Sequence, residues 1–289
     1  MNLLIHIARQ VKNFLKFPNQ FLKILGQDIK KDFFIKNNKK YNNILVIGHP
    51  KSGTTLIEWL LTELGYVNQK VSPLRIFYEK ELNEQHDLSF QMLKYIPKNK
   101  ATFLKRHSAA TDKNIKIINK FKIKLIISKR NLRDTMISRY LHLISDKNLP
   151  HYSHLKDLNY IDGFKKSLTH HPMGYTPIKY FNNWIKNWNR AIKENNFDCL
   201  VLDYDDYIKN DKSYVEKLLK YLSLKNIDSD KLIQNHYAHL KKLKNKNLTK
   251  NLKNNLFSQT YNFDFSDTKK QLKSNFPIEK FNNIVKNLI

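Results

Sequence analysis

The chain has 289 residues, of which 41% are hydrophobic and 12% aromatic. This composition can form a buried core, and it excludes both a disulfide-stapled mini-protein and a chain that is disordered throughout. With 52 Lys and Arg residues against 25 Asp and Glu, the formal net charge is +27, which indicates a partner rich in phosphate, sulfate or anionic lipid. The lysines run from end to end and do not cluster with aromatic residues, so we do not expect nucleic acid as a partner.

The cysteine content indicates a reducing compartment. Cys199 is the single cysteine, which excludes an internal disulfide and a cysteine-based metal site. The sequence contains no run of about 18 uncharged apolar residues, the length that a membrane-spanning helix needs. We therefore expect a cytoplasmic protein, with the inner face of the membrane as an alternative location.

Residues 1–40 form a basic amphipathic segment. Apolar residues recur at helical spacing from Leu3 to Leu15, while Arg9 and Lys12 lie on the opposite side. These two cations interrupt the apolar stretch, which argues against a cleavable signal peptide. We expect the segment to pack on the protein, with peripheral contact to an anionic membrane as the alternative. Residues 41–289 are predicted to form one domain.

The rest of the chain alternates between short apolar runs and helical patterns. Residues 44–47, 123–128 and 199–202 read as strands buried on both faces, and each is followed by a segment with helical periodicity. The first of these helices is predicted over about Thr54 to Leu64. Three such units in series predict an α/β fold, with a central parallel sheet flanked by helices in a three-layer sandwich.

The first strand leads into a glycine-containing loop, Gly48-His49-Pro50-Lys51-Ser52-Gly53-Thr54-Thr55. A strand–loop–helix junction is where main-chain N–H groups and the helix dipole bind phosphate. In a nucleoside-triphosphate P-loop, a lysine follows the second glycine and the next hydroxyl binds Mg²⁺. Here Thr54 occupies the lysine's position and Lys51 precedes the turn, so we expect Lys51 to point across the mouth of the loop toward a transferring group.

The run from Pro50 to Thr55 resembles the 5′-phosphosulfate loop of sulfotransferases that use 3′-phosphoadenosine 5′-phosphosulfate (PAPS). The resemblance implies a P-loop nucleoside-triphosphate-hydrolase-like fold. It also implies that Lys51 contacts the sulfuryl group and its bridging oxygen, while the 5′-phosphate lies against Ser52, Gly53, Thr54 and Thr55. Leu56 departs from the pattern, because cytosolic members usually carry a tryptophan there that stacks on the adenine.

A second motif follows the second strand. The stretch from Arg130 to Ser138 matches the family's arginine and serine, eight residues apart, which together bind the 3′-phosphate. Both can meet one ligand only if Arg130 extends from the strand end and Ser138 projects from the following helix. Arginine suits this role because its planar fork can pair with two phosphate oxygens.

The resemblance extends over about residues 44–223. The segment from Gly174 to Arg190 looks like the family's glycine followed by an aromatic helix. We expect the aromatic stripe of this helix, Phe181, Trp184 and Trp188, to be part of the core. Tyr204, in the run after the third strand, would lie beside the adenine. The family's C-terminal clamp on the 3′-phosphate has no counterpart in the sequence, and its candidate replacements are Lys241, Lys242 and Lys244.

Transfer of a sulfuryl group needs a base for the acceptor proton. Lys105-Arg106-His107 resembles the family's Lys-x-His segment, which implies His107 as the catalytic base and Lys105 as a cation on the leaving oxygen. Histidine suits the role because its ordinary pKa of about 6.5 leaves it mostly neutral at pH 7. Related carbohydrate and tyrosyl sulfotransferases often use a glutamate instead, and the candidates in the corresponding interval are Glu79, Glu81 and Glu84.

We therefore expect transfer from PAPS to a hydroxyl or amine, without a metal, by in-line displacement. The basic amphipathic segment favours a sugar or glycolipid acceptor. Residues 66–100 and 141–175 are predicted to be long loops that shape the acceptor pocket. The alternatives are an Mg²⁺-dependent kinase, with Asp203 as its acid, and a nucleotide-binding protein without catalysis. The oligomeric state stays open.

Overall fold

The computed structural model describes residues 43–68, 88, 101–145, 149, 151–171, 174–248 and 265–288, without the side chains of 243–248. The amphipathic segment predicted over residues 1–40 and the glutamates at 79, 81 and 84 lie outside these ranges. The chain divides into two compact units, each described here by itself. The first comprises the described parts of 1–48, 53–128 and 188–202, and the second comprises those of 49–52, 129–187 and 203–289.

Five strands form one sheet in the spatial order β2-β3-β1-β4-β5. Their bounds are Asn43–Gly48 (β1), Val67–Asn68 (β2), Thr102–Arg106 (β3), Lys124–Lys129 (β4) and Cys199–Asp203 (β5). β1 is parallel to both β3 and β4, and β2 is parallel to β3. The predicted α/β fold with a central parallel sheet is therefore confirmed.

The apolar patterns did not predict two strands of the described sheet, β2 and β3, although the family resemblance implied a strand end before His107. β2 has two residues, too few for a period to show, and β3 ends in the charged pair Lys105-Arg106. Both cations are nonetheless buried, with 4% and 0% of their surfaces exposed. A charged pair at the end of an apolar run is typical of a strand leaving the core, so the pattern concealed β3.

Helices follow the strands as the three predicted units require. Within the described residues they are Thr54–Glu63 (α1), Asp112–Phe121 (α2), Leu132–Ser145 (α3), Tyr152–Leu155 (α4), Tyr160–Thr169 (α5), Pro177–Glu194 (α6), Tyr204–Lys209 (α7), Asp211–Tyr221 (α8), Ser229–Leu248 (α9), Ser266–Asn275 (α10) and Ile278–Leu288 (α11). No helix in the described part of the chain is both long and apolar enough to cross a membrane.

The prediction that residues 141–175 form a long loop is wrong in part, because α4 and α5 lie within it. Asn159 caps α5 by accepting hydrogen bonds from the main-chain N–H groups of Ile161 and Asp162. Phe164 and Leu168, one turn apart, are buried in the core of the second unit with residues of α3, α6, α10 and α11. These two residues form an apolar stripe of a single turn, which is too short to predict a helix from the sequence.

The strand register brings the carboxyl ends of the central strands level. Ile47 of β1 is the partner of both Arg106 of β3 and Ile127 of β4. The chain therefore leaves these three strands at one edge of the sheet. In parallel α/β sheets ligands bind at this edge, and His107 is the first residue after β3.

The aromatic stripe of α6 is part of the core, as expected. Phe181, Trp184 and Trp188 are 3%, 2% and 0% exposed. In the second unit, the rings of Phe181 and Trp184 pack edge-on against the buried ring of His49, with centroids 5.5 and 5.3 Å away. The stripe therefore fixes the first residue of the loop that precedes α1.

Candidate active site

The N-terminus of α1, where the sequence predicts a phosphate site, lies in the first unit. Gly53 is its N-cap, with φ 99°, a conformation that costs glycine little and other residues more. No side chain in the described ranges caps this helix, and its first turn has no acidic residue. The N–H groups that begin a helix need acceptors, and the helix dipole favours a negative one. Thr54 is buried there and Thr55 is exposed.

In the second unit, residues 49–52 form a tight turn closed by a hydrogen bond from the N–H of Ser52 to the carbonyl of His49, 3.2 Å. Lys51 has φ 70°, which a side-chain-bearing residue rarely adopts. Burial and then the charge of Arg130 lower the pKa of Lys51 to about 8. The protein thus holds a lysine in a strained turn, where its charge is costly without a negative partner.

Arg130 connects the second motif to this turn. Its Nη1 donates to the carbonyl oxygen of Lys51 at 3.3 Å, and its guanidinium carbon lies 4.8 Å from the centre of the Tyr204 ring. Its Nε lies 4.0 Å from Oδ1 of Asp205 and makes no hydrogen bond within the described residues. The Arg130 side chain is 10% exposed. A guanidinium held by one carbonyl, one ring and a distant carboxylate still has N–H groups for a ligand.

Asp205 holds Asn131 in place at the N-terminus of α3. Oδ2 of Asp205 accepts hydrogen bonds from the main-chain N–H and the side-chain amide of Asn131, at 3.1 and 2.6 Å. The Asn131 side chain in turn accepts from the N–H of Asp134 at 2.8 Å, as an N-cap does. The sequence analysis did not identify these positioning contacts, because they join residues 74 apart.

A second basic group from α10 lies near Arg130. Lys273 binds Asp134 at 2.9 Å, and Lys269 lies one turn earlier on the same helix. Lys269 is exposed as a whole, yet its pKa is lowered, first by partial desolvation of the ammonium group and then by the charges of Arg130 and Lys273. Burial acts to raise the pKa of Asp134, but hydrogen bonds from Lys273 and Asn131 and the nearby cations hold it below its usual value.

The remaining residues predicted to bind the donor lie on the expected elements. Ser138 is in the second turn of α3, partly exposed, and Tyr204 begins α7. Lys241 and Lys242 are exposed on α9, which also contains Lys244. In the described residues, the cation whose charge interacts with Arg130 from the C-terminal region is Lys269, which no motif identified.

His107 occupies the edge of the sheet in the first unit. Its ring nitrogen Nδ1 donates to the carbonyl oxygen of Gly48, the last residue of β1. In the neutral ring this bond leaves the lone pair on Nε2, which is the form a general base needs. The following turn is also fixed, because Nε1 of Trp188 donates to the carbonyl of Ser108 at 3.1 Å.

Lys105, predicted as a catalytic cation, is paired inside the first unit. Its Nζ lies 2.5 Å from Oε2 of Glu58 on α1, and the other oxygen of Glu58 accepts from the Asn68 amide at 2.6 Å. Both side chains of the ion pair are largely buried, 6% and 15% exposed. This geometry favours a role for Lys105 in joining β3 to α1.

The kinase alternative placed a metal-binding acid at Asp203. In the structure Asp203 caps α7 by accepting from the N–H of Asp205 at 2.9 Å. Within the described ranges, no group of three or more His, Cys, Asp or Glu residues could hold a metal ion. The carboxylate of Asp203 therefore serves as the N-cap of α7.

The parallel sheet and its flanking helices define an α/β protein with a strand–loop–helix junction at the edge of the sheet. Residues 41–287 match the sulfotransferase domain family, so the chain belongs to the sulfotransferase family, and the predicted class of enzyme is confirmed.

Among solved structures, mouse sulfotransferase SULT7A1 complexed with PAP is 16% identical, with a TM-score of 0.48 and coverage of 72% of this chain and 68% of that one. Retinol dehydratase in a complex with retinol and PAP is 17% identical, with a TM-score of 0.44 and coverage of 87% and 86%. Comparison with curated proteins found no match.

Proposed function

We propose that this sulfotransferase transfers the sulfuryl group of PAPS to a hydroxyl of its acceptor. The observation that carries the proposal is the hydrogen bond from Arg130 to the main chain of Lys51, which joins the two predicted phosphate-binding motifs in the second unit. Burial first, and then repulsion from the charge of Arg130, lowers the pKa values of Lys51 and Lys269. A ligand with several negative groups relieves that repulsion.

The residues present fit such a donor. Lys51, Ser52, Gly53, Thr54 and Thr55 would hold the 5′-phosphosulfate, because the N-terminus of α1 needs an acceptor. Arg130, Ser138 and Lys269 would hold the 3′-phosphate, and Tyr204 would contact the adenine. When bound, PAPS supplies an activated sulfuryl group.

His107 is proposed as the general base. The hydrogen bond to Gly48 sets its neutral ring so that Nε2 can accept the proton of the acceptor hydroxyl. The ammonium of Lys51 would stabilise negative charge on the leaving phosphate oxygen. Fixed positive charge of this kind provides most of the catalysis in related phosphoryl transfers, and we expect the same here.

Calorimetry with 3′-phosphoadenosine 5′-phosphate (PAP) tests the donor assignment. We expect the wild type to bind PAP, and Arg130→Met to bind about 10- to 100-fold more weakly, the loss of one charge-assisted hydrogen bond. Turnover of labelled PAPS in excess chelator then separates the alternatives, since a kinase would need Mg²⁺. Failure to bind PAP would overturn the proposal, and PAP binding without transfer to any hydroxylated acceptor would favour the non-catalytic alternative.

A further inference from the structure

Two consecutive residues at the start of α7, in the second unit, lie against Arg130. The centre of the Tyr204 ring lies 4.8 Å from its guanidinium carbon, and Oδ1 of Asp205 lies 4.0 Å from its Nε. At that distance the carboxylate attracts the guanidinium but makes no hydrogen bond with Nε. Asp205 itself is fixed, because its N–H donates to Asp203, the N-cap of α7, at 2.9 Å.

The stronger contacts of Asp205 are with Asn131, the residue that follows Arg130. Oδ2 of Asp205 accepts from the main-chain N–H and from the side-chain amide of Asn131, at 3.1 and 2.6 Å. The side-chain oxygen of Asn131 accepts from the N–H of Asp134 at 2.8 Å, and its main-chain oxygen accepts from the N–H of Thr135 at 3.1 Å. Asn131 is therefore held by α7 on one side and by the first turn of α3 on the other.

These contacts also fix the main chain of Arg130. The N–H that Asp205 binds belongs to the planar peptide group between Arg130 and Asn131, so the orientation of that plane is set. From a fixed main chain, few rotamers of Arg130 also reach the carbonyl oxygen of Lys51, to which its Nη1 donates at 3.3 Å. The direction of the guanidinium matters, because its planar fork pairs with phosphate oxygens only in a matching orientation.

We propose that Asp205 is a positioning residue for the 3′-phosphate of the donor. Through Asn131 it fixes the orientation of Arg130, and it thereby sets how strongly the protein prefers a nucleotide with a 3′-phosphate over one without it. This inference rests on the proposed function, which assigns the 3′-phosphate to Arg130. Charge alone predicts the opposite effect, because a carboxylate beside Arg130 repels a phosphate bound there. The sign of the change on removing Asp205 therefore distinguishes positioning from charge.

Calorimetry with PAP and with AMP, which lacks the 3′-phosphate, tests the proposal. We expect Asp205→Ala to bind PAP about tenfold more weakly and AMP within about twofold of the wild type, as misdirection of one charge-assisted hydrogen bond predicts. A purely structural defect would weaken both nucleotides. Asp205→Asn should restore PAP affinity to within about threefold of the wild type, since an amide oxygen can accept both bonds from Asn131.

Asp206→Ala is the matched control for these variants. Asp206 is the next residue of α7, its side chain is 52% exposed, and its carboxylate pairs with Lys217 at 3.7 Å. We expect this substitution to leave the affinities for PAP and AMP unchanged.

Arg130→Met provides the decisive background, because it removes the residue through which Asp205 is proposed to act. In that background Asp205→Ala should cost no further PAP affinity. A further tenfold loss there, equal losses for PAP and AMP, or tighter PAP binding by Asp205→Ala would overturn the inference and leave the donor assignment intact. Failure of Asp205→Asn to restore affinity would do the same. Absence of PAP binding by the wild type would instead overturn the proposed function, and the inference with it.

Discussion

The guanidinium of Arg130 donates a hydrogen bond to the main-chain oxygen of Lys51 at 3.3 Å, across 79 positions of sequence. This contact joins the two motifs that the sequence suggested separately. After burial, the charge of Arg130 is the second cause of the lowered pKa of Lys51. A negatively charged ligand is therefore expected to alter the ionisation of Lys51.

Proton uptake on PAP binding tests this coupling. The pKa of Lys51 is about 8, against an ordinary value of 10.5. At pH 8.5 much of the free protein has neutral Lys51, and the bound anion favours the charged form, so we expect binding to take up part of a proton. At pH 7 Lys51 is already charged and contributes little uptake. Calorimetry in buffers of different ionisation enthalpy measures this, and equal uptake by wild type and Lys51→Met at pH 8.5 would contradict it.

Lys51→Met should stabilise the free protein while it weakens donor binding. Because the folded pKa lies below the unfolded one, the unfolded chain binds the Lys51 proton more tightly, and this costs stability that is regained as pH rises from about 8 to 10.5. At pH 7 the substitution removes that cost, so the melting temperature of the free protein should rise by about 2–4 °C for each kcal/mol recovered. A lower melting temperature than that of the wild type at pH 7 would count against the assignment.

His107→Ala should lower kcat by about 10²- to 10⁴-fold, the usual contribution of a general base, and leave PAP affinity within about twofold. The comparison variants are Glu79→Ala, Glu81→Ala and Glu84→Ala, which remove the alternative bases. An unchanged rate for His107→Ala, with a large loss in one glutamate variant, would transfer the role to that glutamate.

Lys269→Met should weaken PAP binding about tenfold, because it removes a positive charge that would face the ligand. It should also stabilise the free protein slightly, because Lys269 is partly desolvated and is repelled by Arg130. Lys270→Met is the control, because Lys270 is the next residue along the same helix, its side chain is 82% exposed, and its ammonium pairs with Asp267. Equal effects of the two substitutions on PAP affinity would show that only the net charge matters.

Lys105→Met should destabilise the protein by about 3–5 kcal/mol, because it leaves the carboxylate of Glu58 largely buried without its cation. The double variant Glu58→Gln/Lys105→Met should recover much of that loss. If the recovered double variant keeps its kcat, Lys105 acts in folding; a persistent loss of kcat would support the cation on the leaving oxygen that the family resemblance implied. Chemical denaturation and steady-state kinetics on the same preparations separate the two roles.

Local sequence was sufficient to predict the strands that precede the two predicted phosphate-binding motifs. Continuous apolar runs predicted β1, β4 and β5, and the glycines of the first loop, with Lys51 before the turn, distinguished it from a nucleoside-triphosphate loop. These properties depend on neighbouring residues, since strand burial and turn conformation are set by a few adjacent side chains. The same reasoning missed β3, whose Lys105 and Arg106 are buried only because the fold supplies partners such as Glu58.

Tertiary structure alone determined which charges meet. No local pattern joins Asn131 to Asp205, Lys273 to Asp134 or Lys269 to Arg130, and the ring contact between His49 and Phe181 joins two separate segments of the chain. Electrostatic and ring contacts depend on distance in space, and folding alone brings together residues that lie dozens to more than a hundred positions apart in sequence.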